Sequence, residues 1–179
     1  MDDMQTTPDN RAFGALLDAL AALRDADGAR ITAGHLDLGP GLWLSCDPQG
    51  QTEMECQPAG AGFRLRIDGG DSGKWTCLGL HLPVDILRRG RYLGLLVEAD
   101  TPGMVSFTPR LRYFLEGGDQ QDAGPPMPVL LPGGRREQLC HIPIDPALLG
   151  RATGCELNLF FHNDTLQGEF FRLEPLLIS

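Results

Sequence analysis

The 179-residue sequence predicts a mainly β protein: an antiparallel, jelly-roll-like β-sandwich that carries one N-terminal amphipathic helix. Three observations lead there. Between Gly62 and Ile178, apolar side chains recur two residues apart in Phe63/Leu65/Ile67, Leu78/Leu80/Leu82, Leu111/Tyr113/Leu115 and Leu157/Leu159/Phe161, the period that places them on one face of a pleated strand. These segments are short and are cut apart by turn residues drawn from 23 Gly and 14 Pro. Only one stretch, near the N-terminus, shows the three- and four-residue spacing of a long helix. With 42% hydrophobic residues the chain is long enough to bury a core without staples, and it divides into a helix with linker (1–30) and a sandwich domain (31–179).

The helix is predicted over residues 8–26. Thr7 serves as N-cap with Pro8 at the first helical position, Phe13, Leu16, Leu17, Leu20 and Leu23 form one apolar stripe, and Gly28 stops it. Such a stripe must be covered, either by the chain's own sandwich, which is the usual fate, or by another copy in a homo-oligomer. Strands follow near 33–38, 41–46, 51–57, 62–68, 75–82, 91–99, 103–108, 110–116, 136–142, 155–162 and 169–178, some of them halves of one bent strand. Residues 83–90 and 145–151 read as short helical turns at the sandwich ends. The breaker-rich stretch 117–134 reads as a long mobile loop.

The formal charge of −9 repels phosphate backbones and anionic membrane surfaces, which excludes nucleic acid as a partner, and no segment approaches a transmembrane span. The acidic N-terminus lacks a basic region followed by an apolar one, so the expected location is cytoplasmic, or outside the cell as part of a released assembly. Five cysteines, at 46, 56, 77, 140 and 155, are an odd number without CxxC spacing; they read as buried thiols rather than a disulfide framework or a zinc knuckle.

Candidate chemistry is sparse. Gly70-Asp71-Ser72-Gly73 matches the core of the trypsin-like nucleophile motif, but Lys74-Trp75 follows it, and His35 lies too close in sequence to serve as the base. The stretch reads as a polar hairpin, and no catalytic residue is assigned. Asp68 and Asp71 among three glycines are also the residues of a calcium loop, without the spacing of one. His35, His81, His141 and His162 show no zinc-site spacing, and Cys140 and His141 point to opposite faces of a strand, so no metal and no cofactor is expected.

Strand parity is more informative. If Leu157, Leu159 and Phe161 face the core, Asn158, Phe160 and His162 lie on the outer face; by the same rule Arg112 and Phe114 lie outside Leu111/Tyr113/Leu115, and Phe170 and Arg172 outside Phe171/Leu173. Rings flanked by Arg, Asn and His suit sugar recognition, in which a ring stacks on C–H patches and polar groups fix hydroxyls. They equally suit a floor for the helix. With the helix over Phe114, Phe160 and Phe170, a ligand is expected instead at the loops near Asp68–Trp75 and Asn163–Gln167, which carry Asp68, Asp71, Trp75, Asn163 and Asp164. Trp75 and Trp43 each read as rim or core.

The runs Trp75-Thr-Cys-Leu-Gly-Leu-His-Leu-Pro83 and Gly90-Arg-Tyr-Leu-Gly-Leu-Leu-Val-Glu-Ala99, with the closing Phe171-Arg-Leu-Glu-Pro-Leu-Leu-Ile178, resemble the galactose-binding-like jelly rolls of carbohydrate-binding modules over residues 31–179. The resemblance implies non-catalytic binding of a glycan through end loops or a concave face. The alternative is a structural or adaptor subunit that docks on a protein partner through its helix or its aromatic face.

Overall fold

The structure is a computed structural model that describes residues 11–69 and 73–179. The proposed cap at Thr7, the helix start at Pro8, and Asp71 and Ser72 lie outside the described residues. A helix α1 (Gly14–Ala22), flanked by single 3-10 turns, precedes β1 (Ala29–Ile31), β2 (Gly34–Gly39), β3 (Leu42–Cys46), β4 (Thr52–Ala59), β5 (Gly62–Gly69) and β6 (Thr76–Leu82). After α2 (Val84–Leu87) come β7 (Tyr92–Thr101), β8 (Val105–Leu115), β9 (Gln120–Ala123), β10 (Val129–Leu131) and β11 (Gly134–Pro143); α3 (Pro146–Arg151) then leads to β12 (Ala152–Phe161) and β13 (Thr165–Ile178).

These strands make a β-sandwich of two antiparallel sheets. One has six strands in the order β1-β4-β5-β13-β7-β11; the other has seven, β10-β8-β12-β6-β3-β2 with β9 also paired to β8. The chain crosses repeatedly between the sheets, so neighbours in space are distant in sequence, as in a jelly roll. Alternate residues from both inner faces meet in one core. Leu42/Leu44, Leu78/Leu80/Leu82 and Leu157/Leu159/Phe161 come from the seven-stranded sheet, and Phe63/Leu65/Ile67 and Leu93/Leu95/Val97 from the other. All five cysteines are free and buried, and desolvation raises their thiol pKa values, that of Cys56 to about 12.

Three expectations are corrected. The stretch 117–134 is not one loop: β9 and β10 pair with β8, through registers such as Arg112 to Asp122 and Phe107 to Val129. Gln120–Ala123 is polar and largely exposed, so it carried no alternation to read. The segments expected at 103–108 and 110–116 are, in line with the expectation that some are halves of one strand, a single strand over residues 105–115, in which Pro109 falls in the gap between the β10 and β9 pairings. The short strand β1 went unseen, since three residues are too few to show a period.

The third correction concerns Phe170. A register shift between Phe170 and Arg172 inverts parity there, turning Phe170 into the core at 3% exposure, stacked on Phe63 with ring centroids 5.5 Å apart. The backbones of β5 and β13 close tightly at this point: a Cβ on Gly62 would stand 1.9 Å from the Phe170 carbonyl oxygen, so only glycine fits. Phe171 turns outward, and the Arg135 guanidinium lies 4.2 Å from its ring centroid.

The helix docks on its own sandwich, and of the floor expected for it, Phe114, Phe160 and Phe170, only Phe170 shares a groove with it. Phe13, Leu16 and Leu23 enter the main core, and Leu17 and Leu20 border a groove with Phe63, Phe170 and Phe171. It closes the open side of the sandwich beside β2, β3, β4 and β5, and leaves Phe114 and Phe160 uncovered by any described residue of the helix.

Candidate functional site

The outer face of the seven-stranded sheet is built by one rule, the alternation of each strand, and by the registers that align the strands. Its middle row runs Asp37, Trp43, Gly79, Asn158, Arg110 across β2, β3, β6, β12 and β8. On one side lies the row His35, Ser45, Cys77, Phe160, Thr108; on the other, His81, Glu156, Arg112, Asp122. Together they frame a cleft of about 380 Å³ lined by both tryptophans, Trp43 and Trp75, with His35, Glu156, Asn158 and Phe160 among its walls.

The depression exists because β6 has no side chain at its centre. A Cβ on Gly79 would lie 2.1 Å from Cε2 of Trp43, so the indole rests directly on the glycine backbone. That contact explains how Trp43, on an outer face, is only 8% exposed. His35 covers it from the edge strand, ring centroids 5.6 Å apart and 31° between planes. Trp75, just before β6, is half-buried and donates from Nε1 to Ser45 Oγ at 3.1 Å.

Asp47 holds the turn that delivers Trp75. Its carboxylate accepts from the backbone N–H groups of Gln49 (2.9 Å) and Lys74 (2.7 Å), and its own N–H donates to the Trp75 carbonyl at 3.0 Å. Those two donors hold the Asp47 carboxyl below the usual carboxylate range.

The floor is polar. Asn158 is 4% exposed; its Oδ1 accepts from the Cys77 thiol at 3.3 Å, and its Nδ2 meets no acceptor at hydrogen-bonding geometry among the described residues. A buried amide donor without a full partner costs about 1–3 kcal/mol, which an acceptor brought to it offsets. Next to it, burial pushes the Glu156 carboxyl up, against the Asn158 side-chain amide, which reaches toward the carboxylate without the geometry of a full hydrogen bond, and against the charges of Arg112, His81 and His35. Arg112 is itself held by a bidentate pair to Asp122 at 2.8 and 2.9 Å, which fixes the guanidinium as one wall.

Of the residues singled out from the sequence, Trp75, Arg112, Asn158 and Phe160 converge on this cleft. Phe114 lies on the same outer face beside Gly154, beyond the cleft walls. His162 bonds Thr108 Oγ1 at 2.7 Å past the end of β12. Asn163 is spent on structure: Oδ1 accepts from Ser106 N–H (2.8 Å) and Nδ2 donates to the Met104 carbonyl (2.9 Å). Asp164 is exposed in the same turn. Asp68 and Arg172 belong to the other sheet, the first ion-paired with Arg66, the second 3.2 Å from Glu137, so they share no face with Arg112. Among the described residues no cluster of His, Cys, Asp or Glu has the make-up of a metal site. The sequence reading passed over Gly79, Ser45, Cys77 and Glu156, although the same parity that exposed Asn158 places all four on its face.

No family model and no curated protein matches this sequence. Among solved structures, the CBM22-1 xylan-binding domain of Paenibacillus barcinonensis Xyn10C aligns over 85% of this chain and 94% of its own, with a TM-score of 0.51 at 10% identity. The fold is the jelly-roll β-sandwich that this xylan-binding domain also has. The tandem CBM22-1–CBM22-2 structure of the same enzyme aligns over 83% of this chain and 46% of its own, with a TM-score of 0.50 at 10% identity. At such identity the likeness is one of architecture, and the cleft residues are this chain's own.

Proposed function

We propose that this jelly roll is a non-catalytic module that takes a glycan chain in the Trp43–Trp75–Asn158 cleft. The observation that carries the reading is the unpartnered Asn158 Nδ2, nine-tenths buried at the floor of a cleft with aromatic walls. Stacking on the indoles supplies apolar contact, and Asn158 as donor with Glu156 as acceptor orients hydroxyls. Binding without chemistry fits the carboxylates of this face. Asp37 is engaged by His35 at 2.9 Å and Asp122 by Arg112, which leaves Glu156 without the free opposing carboxylate that paired-acid glycoside hydrolysis needs.

Xylan is the first ligand to test, since the architectural neighbours are xylan-binding domains. Calorimetric titration of the whole chain with soluble xylan and mixed-linkage β-glucan is expected to show saturable binding to at least one of them. Trp75→Ala should weaken it at least tenfold, about 1.4 kcal/mol, with the fold intact by circular dichroism. Absence of binding across a glycan panel, or binding indifferent to Trp75→Ala and Phe160→Ala together, would overturn the assignment.

A further inference from the structure

A larger cavity, of about 590 Å³, lies at the opposite end of the strands from Trp75, where β6 has ended in α2 and α3 leads into β12. Its walls are apolar, made by Pro143, Ile144, Pro146 and Leu149 together with Tyr92, which is left 43% exposed. The rim is cationic, with Arg88 and Arg91 lining it from the run Arg88-Arg89-Gly90-Arg91. Three of the chain's 15 basic residues fall within these four positions, in a molecule of net charge −9.

The geometry fixes Arg91 and leaves its charge available. Its backbone N–H donates to the Ile178 carbonyl at 2.8 Å and its carbonyl accepts from Ile144 N–H at 3.1 Å, so the residue is pinned between the end of β13 and the cavity wall. The neighbouring carboxylates are committed elsewhere. Asp145 accepts from the N–H groups of Ala147 (2.9 Å) and Leu148 (3.1 Å) as the cap of α3, and Asp85 pairs with Arg88 at 2.9 Å. Arg91 makes no ion pair among the described residues.

We propose that this cavity binds a small amphipathic carboxylate, its apolar body against Tyr92, Pro143 and Leu149 and its head paired with the Arg91 guanidinium. The volume falls in the range of small-molecule sites, and a planar guanidinium matches a carboxylate with two parallel hydrogen bonds. A glycan fits poorly: a single ring already in edge contact with His141, centroids 6.5 Å apart, and aliphatic walls offer few partners for hydroxyls.

The test is a fluorescence titration of the full chain with anilinonaphthalene sulfonate, followed by displacement with octanoate, octanol or octylamine. We expect one saturable site per chain, octanoate displacing at least about tenfold more tightly than octanol or octylamine, and Arg91→Gln removing that preference while octanol is unaffected. Leu149→Trp, which fills the cavity, should abolish displacement by both. Equal competition by octanoate and octanol, non-saturable probe binding, or a preference that survives Arg91→Gln would overturn the proposal. The outcome is independent of the glycan reading, because xylan titration of Arg91→Gln should match that of the unmodified chain.

Discussion

The two outer faces of the sandwich obey the same alternation and end in opposite chemistry. On the six-stranded sheet, many outward side chains are charged and pair across strands, Arg30 with Glu53, Arg66 with Glu55, Arg135 with Glu98, Arg172 with Glu98 and Glu137, while Arg66 also pairs with Asp68 along its own strand. On the seven-stranded sheet two ion pairs, His35–Asp37 and Arg112–Asp122, flank a centre that holds two indoles, a phenylalanine, a glycine and a buried amide without a full partner. Cross-strand ion pairs consume their own charges and present a solvated surface. Aromatic walls around an unsatisfied donor leave free energy to be gained from a ligand. A face can thus be judged by what its side chains leave unpaired.

The comparison breaks most readily at Gly79. Gly79→Ala puts a methyl 2.1 Å from the Trp43 indole, so the ring must leave the cleft floor. The expected result is a loss of about 1–3 kcal/mol in denaturant unfolding together with loss of glycan binding. An alanine variant that still binds would mean that the Trp43 platform is not where the ligand lies.

Asn158→Leu separates stability from function. It keeps the volume and removes both the unmet donor and the weak acceptor for Cys77, so stability should move by less than about 1 kcal/mol while glycan affinity falls at least tenfold. If instead the variant lost several kcal/mol by thermal or denaturant melts, Asn158 would be a structural residue with a partner in solution.

The smallest effect belongs to the other sheet. Glu98→Ala deletes the shared anion between Arg135 and Arg172 and is expected to cost no more than about 1 kcal/mol, to soften further in salt, and to leave glycan titrations unchanged. Altered glycan binding in that variant would assign function to the face that pairing closes.

Half of the candidate site was legible in the chain, and the reason is local geometry. Given Leu157/Leu159/Phe161 inside, a strand has no choice but to send Asn158 and Phe160 outward, and the same holds for Arg112 beside Leu111 and Tyr113. Parity fails where a bulge intervenes, as Phe170 shows. The helix was legible as an amphipathic element, but its floor was not, because its stripe fits any apolar groove of suitable width and only the finished sandwich decides which groove stays open.

What the sequence determined by itself is therefore a set of two-faced strands and the apolar side of each, since side-chain alternation is a property of the backbone at every residue. The tertiary structure decided which outward faces are coplanar. It set Trp43 over Gly79, joined Cys77 to Asn158 across 81 positions of chain, and sent Arg172 and Asp68 to the far sheet. Strand order in a jelly roll is chosen by which pairings close one core around both sheets, and that choice is made by all the inner faces at once rather than by any segment alone.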